Sequence, residues 1–229
     1  MTMSNETRAR VKGAFEPIAL AMGRAGLTPN ALTLIGFGIT AVGAALLGAQ
    51  AWLVGGIVMF AGGVFDMFDG TLARATGRVS PLGAFMDSVF DRWGEAVVYL
   101  GIVVGASQGG LPLGAILAAA AMGSAFMVSY TRSKAEGLGF VAGTGMAEVG
   151  LMPREVRLVV LALGIVVGGV LGIPRQDLSG GALVLEAALA LIALLATITV
   201  VQRILVVRRQ AELRPGGSAG PGSTSKESR

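Results

Sequence analysis

Cysteine and histidine are both absent from this chain of 229 residues. Without cysteine there is no disulfide framework and no thiolate chemistry. Without histidine the commonest general base near neutral pH and the commonest transition-metal ligand are gone. Acid–base or metal work therefore falls to carboxylates, whose oxygens favour hard ions such as Mg²⁺, Mn²⁺ or Ca²⁺. Charge is scarce too. Only 14% of residues are charged, where a soluble domain carries roughly a quarter. The N-terminus has neither a contiguous apolar h-region nor an A-x-A site, so no removable signal peptide is expected.

What fills the space is apolar and small. Hydrophobic residues make up 53% of the chain, 36 residues are glycine, and the mean hydropathy is +0.72. This is the composition of an all-α integral membrane protein, in which small residues let helices approach closely. Gly101-x-x-x-Gly105, Gly164-x-x-x-Gly168 and Gly168-x-x-x-Gly172 are candidate packing seams. Apolar runs predict one domain, residues 26–210, with six spans at about 31–49, 51–72, 83–106, 111–133, 155–173 and 182–206, each near the ~20 residues a bilayer requires. Residues 1–25 mix Arg8, Arg10, Lys12 and Arg24 with Val11, Phe15, Ile18, Leu20 and Met22, which predicts an amphipathic helix on the membrane interface. Residues 211–229, which include RPGGSAGPGSTSKESR, predict a disordered tail.

The sequence pI near 10.1 invites a nucleic-acid reading, but in so apolar a chain basic residues mark cytoplasmic loops and contacts with anionic lipid or phosphate. With the N-terminus in the cytoplasm, six spans put 17 of the 18 Lys and Arg on the cytoplasmic side, Arg175 alone falling opposite. That asymmetry is the positive-inside rule, and it predicts that both termini and the aspartates described next face the cytoplasm.

Carboxylates are costly inside a membrane unless something positive meets them. Yet FDMFDGTLARATGRVSPLGAFMDSVFDRWGE, Phe65 to Glu95, carries four aspartates at the join of the second and third spans. Asp66 and Asp69 are spaced i, i+3, and Asp87 and Asp91 i, i+4, so each pair lies on one helical face, and a short loop brings the pairs together. Helix capping or salt bridges to Arg74, Arg78 and Arg92 would absorb two of the four but would not explain the shared register. One or two divalent cations with oxygen ligands would. Gly70 and Gly83 allow a ligand close to the backbone, and Arg74 is suited to paired hydrogen bonds with phosphate.

The pattern D-x-x-D-G-x-x-A-R-x8-G-x-x-x-D-x-x-x-D, formed here by Asp66, Asp69, Gly70, Ala73, Arg74, Gly83, Asp87 and Asp91, resembles the signature of the CDP-alcohol phosphotransferases at all eight fixed positions. The resemblance implies a six-span enzyme, expected as a homodimer, that moves a phosphatidyl group from CDP-diacylglycerol to an alcohol and releases CMP. It implies two Mg²⁺ or Mn²⁺ ions on Asp66, Asp69, Asp87 and Asp91, with Asp91 also the general base. Gly70, Ala73, Arg74, Ser80 and Gly83 would contact the cytidine diphosphate. The segment Asn30-Ala31-Leu32-Thr33 resembles a second family stretch on the nucleotide side, while Thr28 and Pro29 before it also read as a helix N-cap and N1.

The acceptor depends on cations further along. SYTRSKAE, PREVRL and the late QR resemble phosphatidylinositol phosphate synthases of actinobacteria, whose acceptor is inositol 1-phosphate. That resemblance makes Thr131, Arg132, Ser133, Lys134, Arg154, Arg157 and Arg203 candidates for holding its phosphate and hydroxyls, although positive-inside flanking accounts for such cations too. The alternative acceptor is glycerol 3-phosphate, as in a phosphatidylglycerophosphate synthase. Two other classes compete: a transporter, against which no internal repeat is visible and the carboxylates lie at one face, and a regulatory lipid-binding protein, which has no use for four such aspartates. Membrane lipids are expected neighbours; nucleic acid is not.

Overall fold

A computed structural model describes residues 5–140, 149–173 and 180–213, with side chains from residue 15. Arg175, the polar run from residue 214 and the side chains of Arg8, Arg10 and Lys12 lie outside the described residues. The described chain is all helix: α1 (Asn5–Arg24), α2 (Pro29–Gly48), α3 (Trp52–Ala75), α4 (Pro81–Gln108), α5 (Pro112–Gly137), α6 (Arg154–Leu171) and α7 (Gly180–Glu212). Prolines punctuate the starts. Pro29, Pro81 and Pro112 occupy first-turn positions, where the missing N–H costs nothing, and Pro153 caps α6. Thr28 caps α2 by accepting from the Ala31 N–H at 3.2 Å, as the sequence predicts.

Four helices, α2, α3, α5 and α7, are long and apolar enough to cross a membrane. Of the six expected spans, length and composition support these four. α4 has the length but carries Asp87, Asp91, Arg92 and Glu95, while α6 opens on Arg154, Glu155 and Arg157. Several long apolar helices make a multi-pass membrane protein.

The main core joins α2 through α7 around Leu47, Trp52, Tyr99, Ile102, Leu161, Ile165, Leu189 and Ile192. A membrane supplies no hydrophobic drive between helices, so backbone approach carries the packing. A Cβ on Gly101 would lie 2.2 Å from the Ala44 carbonyl oxygen, and one on Gly105 2.2 Å from that of Leu47; this seam seats α4 on α2. Gly164 and Gly168 seat α6 on α7, against Ala188 and Gly181. Gly172 ends α6 at φ 78°, and its carbonyl also rests on α7, where a Cβ on Gly181 would lie 2.2 Å from it. A smaller cluster, Ala19, Leu32, Phe68 and Leu72 with Phe15, docks α1 onto α2 and α3 next to the aspartates.

Candidate active site

α3 ends and α4 begins at the same end of the bundle, joined by residues 76–80, so their aspartates meet. Asp66, Asp69 and Asp87 each offer a carboxylate oxygen within 4.8 Å of the others. The Thr33 hydroxyl of α2 donates to Asp69 at 2.5 Å, and the Gly70 N–H also donates to it. Asp91 stands outside this group of three. Its Oδ1 lies 2.7 Å from Arg154 Nη2, an ion pair in distance though not in hydrogen-bond alignment, and its Oδ2 lies 3.4 Å from Arg92 Nη1. The same Arg154 nitrogen is 3.8 Å from Asp66.

Three hollows share these side chains. A cleft of about 250 Å³ is lined by Asn30, Thr33, Asp69, Gly70, Ala73, Arg74, Arg78, Ser80, Gly83 and Asp87. A largely apolar cavity of about 440 Å³ runs from Asp66, Asp91 and Arg154 between Phe37, Met59, Phe60, Phe90 and Leu158. Above both, an open bowl holds all four aspartates with Phe15, Arg74, Arg154 and Glu155. The i, i+3 spacing in α3 therefore divides the work. Asp69 looks into the polar cleft and Asp66 into the apolar cavity.

Most of the residues expected at the nucleotide come together in the cleft. Ser80 does so as the N-cap of α4, accepting from Gly83 N at 3.0 Å. Arg74 folds back over Gly70, whose missing side chain leaves it room; a Cβ there would be 3.1 Å from Arg74 Nη1. Leu32 does not reach the cleft, being fully buried with Ala19 and Phe68, and Ala31 lines none of the three hollows.

The expected acceptor residues separate. Arg154 enters the site. Arg157 is 1% exposed and binds Glu95 through both prongs, Nε to Oε1 at 2.8 Å and Nη2 to Oε2 at 2.9 Å, with Nη1 donating to Met152 O at 3.1 Å. Arg203 is 3% exposed, donating to the carbonyls of Val149 (3.0 Å) and Val128. In this structure the guanidinium groups of these two meet internal partners, as their burial demands. Thr131 donates to Met127 O at 2.7 Å, Arg132 pairs with Glu136 at 2.9 Å, and Ser133 and Lys134 are exposed at the end of α5; none lines a hollow that holds an aspartate.

Glu95, Arg78 and Glu155 join the site without standing out in the spacing. Arg78 has a weak signal, being the second cation between the aspartate pairs. Glu95 has a clearer one, following Asp91 by one turn on the same face.

The carboxylate trio suits a hard divalent cation. Its donors are all oxygen and they converge.

The profile of the family described as CDP-alcohol phosphatidyltransferase matches residues 26–199. An archaetidylinositol phosphate synthase from Pyrococcus horikoshii is 37% identical over 159 residues, 69% of this chain and 80% of that protein. A phosphatidylinositol phosphate synthase from Cutibacterium acnes is 35% identical over 169 residues, 73% of this chain and 79% of that protein. Among solved structures, the Mycobacterium tuberculosis phosphatidylinositol phosphate synthase with CDP-DAG bound superposes with a TM-score of 0.74 at 27% identity, over 91% of this chain and 98% of that one. A structure of the same enzyme in complex with manganese and citrate gives 0.75, over 91% and 93%.

Proposed function

The chain belongs to the CDP-alcohol phosphatidyltransferase family, and from that premise we propose that it transfers the phosphatidyl group of CDP-diacylglycerol to inositol 1-phosphate. The acceptor oxygen bonds to the phosphorus that carries diacylglycerol, the bond to the bridging oxygen breaks, and CMP leaves. One observation carries this reading: the carboxylate trio lies between an arginine-lined polar cleft and an apolar cavity, so a diphosphate there has its nucleotide on one side and its lipid on the other.

In the cleft, Arg74 and Arg78 meet phosphate oxygens, while Asn30, Ser80 and the open backbone at Gly70 and Gly83 receive the nucleotide. Asp66, Asp69 and Asp87 would hold Mg²⁺ or Mn²⁺, with Asp91 at the edge for a second ion; bound there, the metal neutralises charge developing on the diphosphate. Thr33 and the Gly70 N–H orient Asp69. Asp91 accepts the proton of the attacking hydroxyl. Arg154 holds the acceptor's phosphate, and its buried Nε has no hydrogen-bond partner among the described residues. The names of the Pyrococcus, Cutibacterium and Mycobacterium relatives support an inositol phosphate acceptor.

The proposal includes six membrane crossings. α4 and α6 cross with the others because their charges gather at the site end or are paired as Glu95–Arg157, the condition for charge in a membrane. It places α1 on the interface, the site and both termini in the cytoplasm, and the enzyme in the cell membrane as a homodimer. Purified protein given CDP-diacylglycerol, Mn²⁺ and either inositol 1-phosphate or glycerol 3-phosphate tests the acceptor. CMP release should strongly favour inositol 1-phosphate; a preference for glycerol 3-phosphate overturns the assignment.

A further inference from the structure

Glu95 and Arg157 are the most deeply buried ion pair described, with side chains 4% and 1% exposed, and they touch no reacting group. We propose that they position the reactive centre, setting where Arg154 and Asp91 stand by fixing α6 against α4.

α4 carries Asp91 and Glu95 four residues apart; α6 carries Arg154 and Arg157 three apart. Both helices run from the site end into the bundle, so the residues meet as two rungs, Asp91–Arg154 at 2.7 Å and Glu95–Arg157 at 2.8 and 2.9 Å. Between the helices lies the apolar cavity, and α4 and α6 are not among the closely packed helix pairs. Backbone contact therefore does not set their separation at this end, and the rungs span the gap. A rigid fork specifies the direction as well as the distance of its partner.

The turn that launches α6 is fastened to the same frame. Leu151 N and Met152 N donate to Thr199 Oγ1 at 3.0 and 3.1 Å, Arg203 Nε holds Val149 O, and Arg157 Nη1 holds Met152 O. Gly150, at φ 124° and directly against Thr199, lets the turn close there. Arg157 thus ties the turn, α6 and α4 together one helical turn from the residue that faces the aspartates. A pair kept only for stability is readily replaced by apolar residues, since desolvation offsets most of its attraction.

The inference rests on the cation reading of the aspartates. Its test uses the full chain in lipid nanodiscs and a Mn²⁺ titration followed by electron paramagnetic resonance. Arg154→Ala removes the cation 3.8 Å from Asp66 and should tighten Mn²⁺ binding. Glu95→Asp keeps every charge but draws the carboxylate back from the fork; it should tighten Mn²⁺ binding roughly threefold to tenfold, and add nothing further in the Arg154→Ala background, as for two changes acting through one residue. A wild-type isotherm for Glu95→Asp, or an effect that simply adds to that of Arg154→Ala, overturns the proposal. If Glu95→Asp does not fold, Arg157→Lys, which keeps the charge and loses the fork, is judged by the same criteria. Failure of wild-type protein to bind Mn²⁺ would count against the cation reading instead. The ladder is then judged by spin labels on Ser88→Cys and Val156→Cys in this cysteine-free chain, where Glu95→Asp should broaden the α4–α6 distance distribution and an unchanged distribution overturns it.

Discussion

Gly101→Ala offers a sharp test of the packing that holds the site together. A methyl group at this position would sit 2.2 Å from the Ala44 carbonyl oxygen and 2.9 Å from its carbon, where ordinary contact begins at 3.4 Å. The obstacle is helix backbone and has no rotamer to change, so α4 and α2 must part by roughly 1 Å in an interior that lacks slack. Overpacking of this kind costs about 1–3 kcal/mol. Against it stands the gain of about 1 kcal/mol from replacing glycine by alanine inside a helix. The net expectation is a destabilisation of about 0–2 kcal/mol, and of about 1–3 kcal/mol relative to an alanine substitution that meets no obstacle. Gly123→Ala is the internal control: it lies inside α5 with nothing within 4 Å, so only the favourable part remains. Unfolding can be followed through the two tryptophans, of which Trp52 packs on Gly105, one turn from Gly101. α2 and α4 also form opposite walls of the polar cleft, through Asn30 and Thr33 on one and Gly83 and Asp87 on the other. Gly101→Ala should therefore raise the KM for CDP-diacylglycerol while Gly123→Ala leaves it unchanged. Equal melting behaviour and equal donor KM in the two variants would refute the close-approach argument.

Thr33→Val removes the hydroxyl that donates to Asp69 and should weaken Mn²⁺ binding about 10- to 100-fold, the usual effect of losing a residue that orients a ligand; an unchanged Mn²⁺ isotherm would refute that role. Arg157→Met strands Glu95 as a buried charge and should cost about 3–5 kcal/mol, most of which Glu95→Gln in the same protein should restore; a melting temperature unaffected by the single change would mean that water reaches the pair. Ser80→Ala removes the cap of α4 and should cost about 1 kcal/mol of stability and raise the donor KM. Ser80→Asp should recover the stability but not the donor KM, because it sets a negative charge beside the diphosphate; recovery of both would show that Ser80 serves the cleft only as a cap.

What could be read from the sequence is what depends on neighbours in sequence. The prolines at 29, 81, 112 and 153 mark helix starts, and the two aspartate pairs are legible because i, i+3 and i, i+4 spacings fix a face without any knowledge of tertiary structure. Arg157 was not legible in this way. Its partner Glu95 is 62 residues away, and a cation beside an apolar run reads equally as a pocket residue, a flanking charge or half of a buried pair. The glycine motifs show the same limit. All three motifs pack helices, but Gly172 of Gly168-x-x-x-Gly172 also ends one, which spacing alone does not reveal. On the proposed six crossings, the charges that lower the hydropathy of α4 and α6 belong to the site and its support.

The division of α3 between the two hollows gives the four aspartates distinct tasks. In a straight helix, residues three apart point about 60° from each other, enough to aim Asp69 at the cleft wall with Thr33 and Asp66 at the cavity with Arg154. Asp87 closes the trio from α4, and Asp91, one turn further on, falls on Arg154's side. On the proposed reaction this geometry separates the nucleotide from the reacting end by carboxylate. Asp69 and Asp87 share the cleft with the arginines that grip the nucleotide's diphosphate, while Asp66 and Asp91 stand at the mouth of the lipid-side cavity, where the open bowl gives them the arginine that meets the incoming phosphate. Changes at Arg74 or Arg78 should then raise the donor KM and changes at Arg154 the acceptor KM, in steady-state assays that vary one substrate at a time. A shift of the donor KM alone on Arg154→Ala would mean that both substrates enter from the cleft side and that the division has no part in the chemistry.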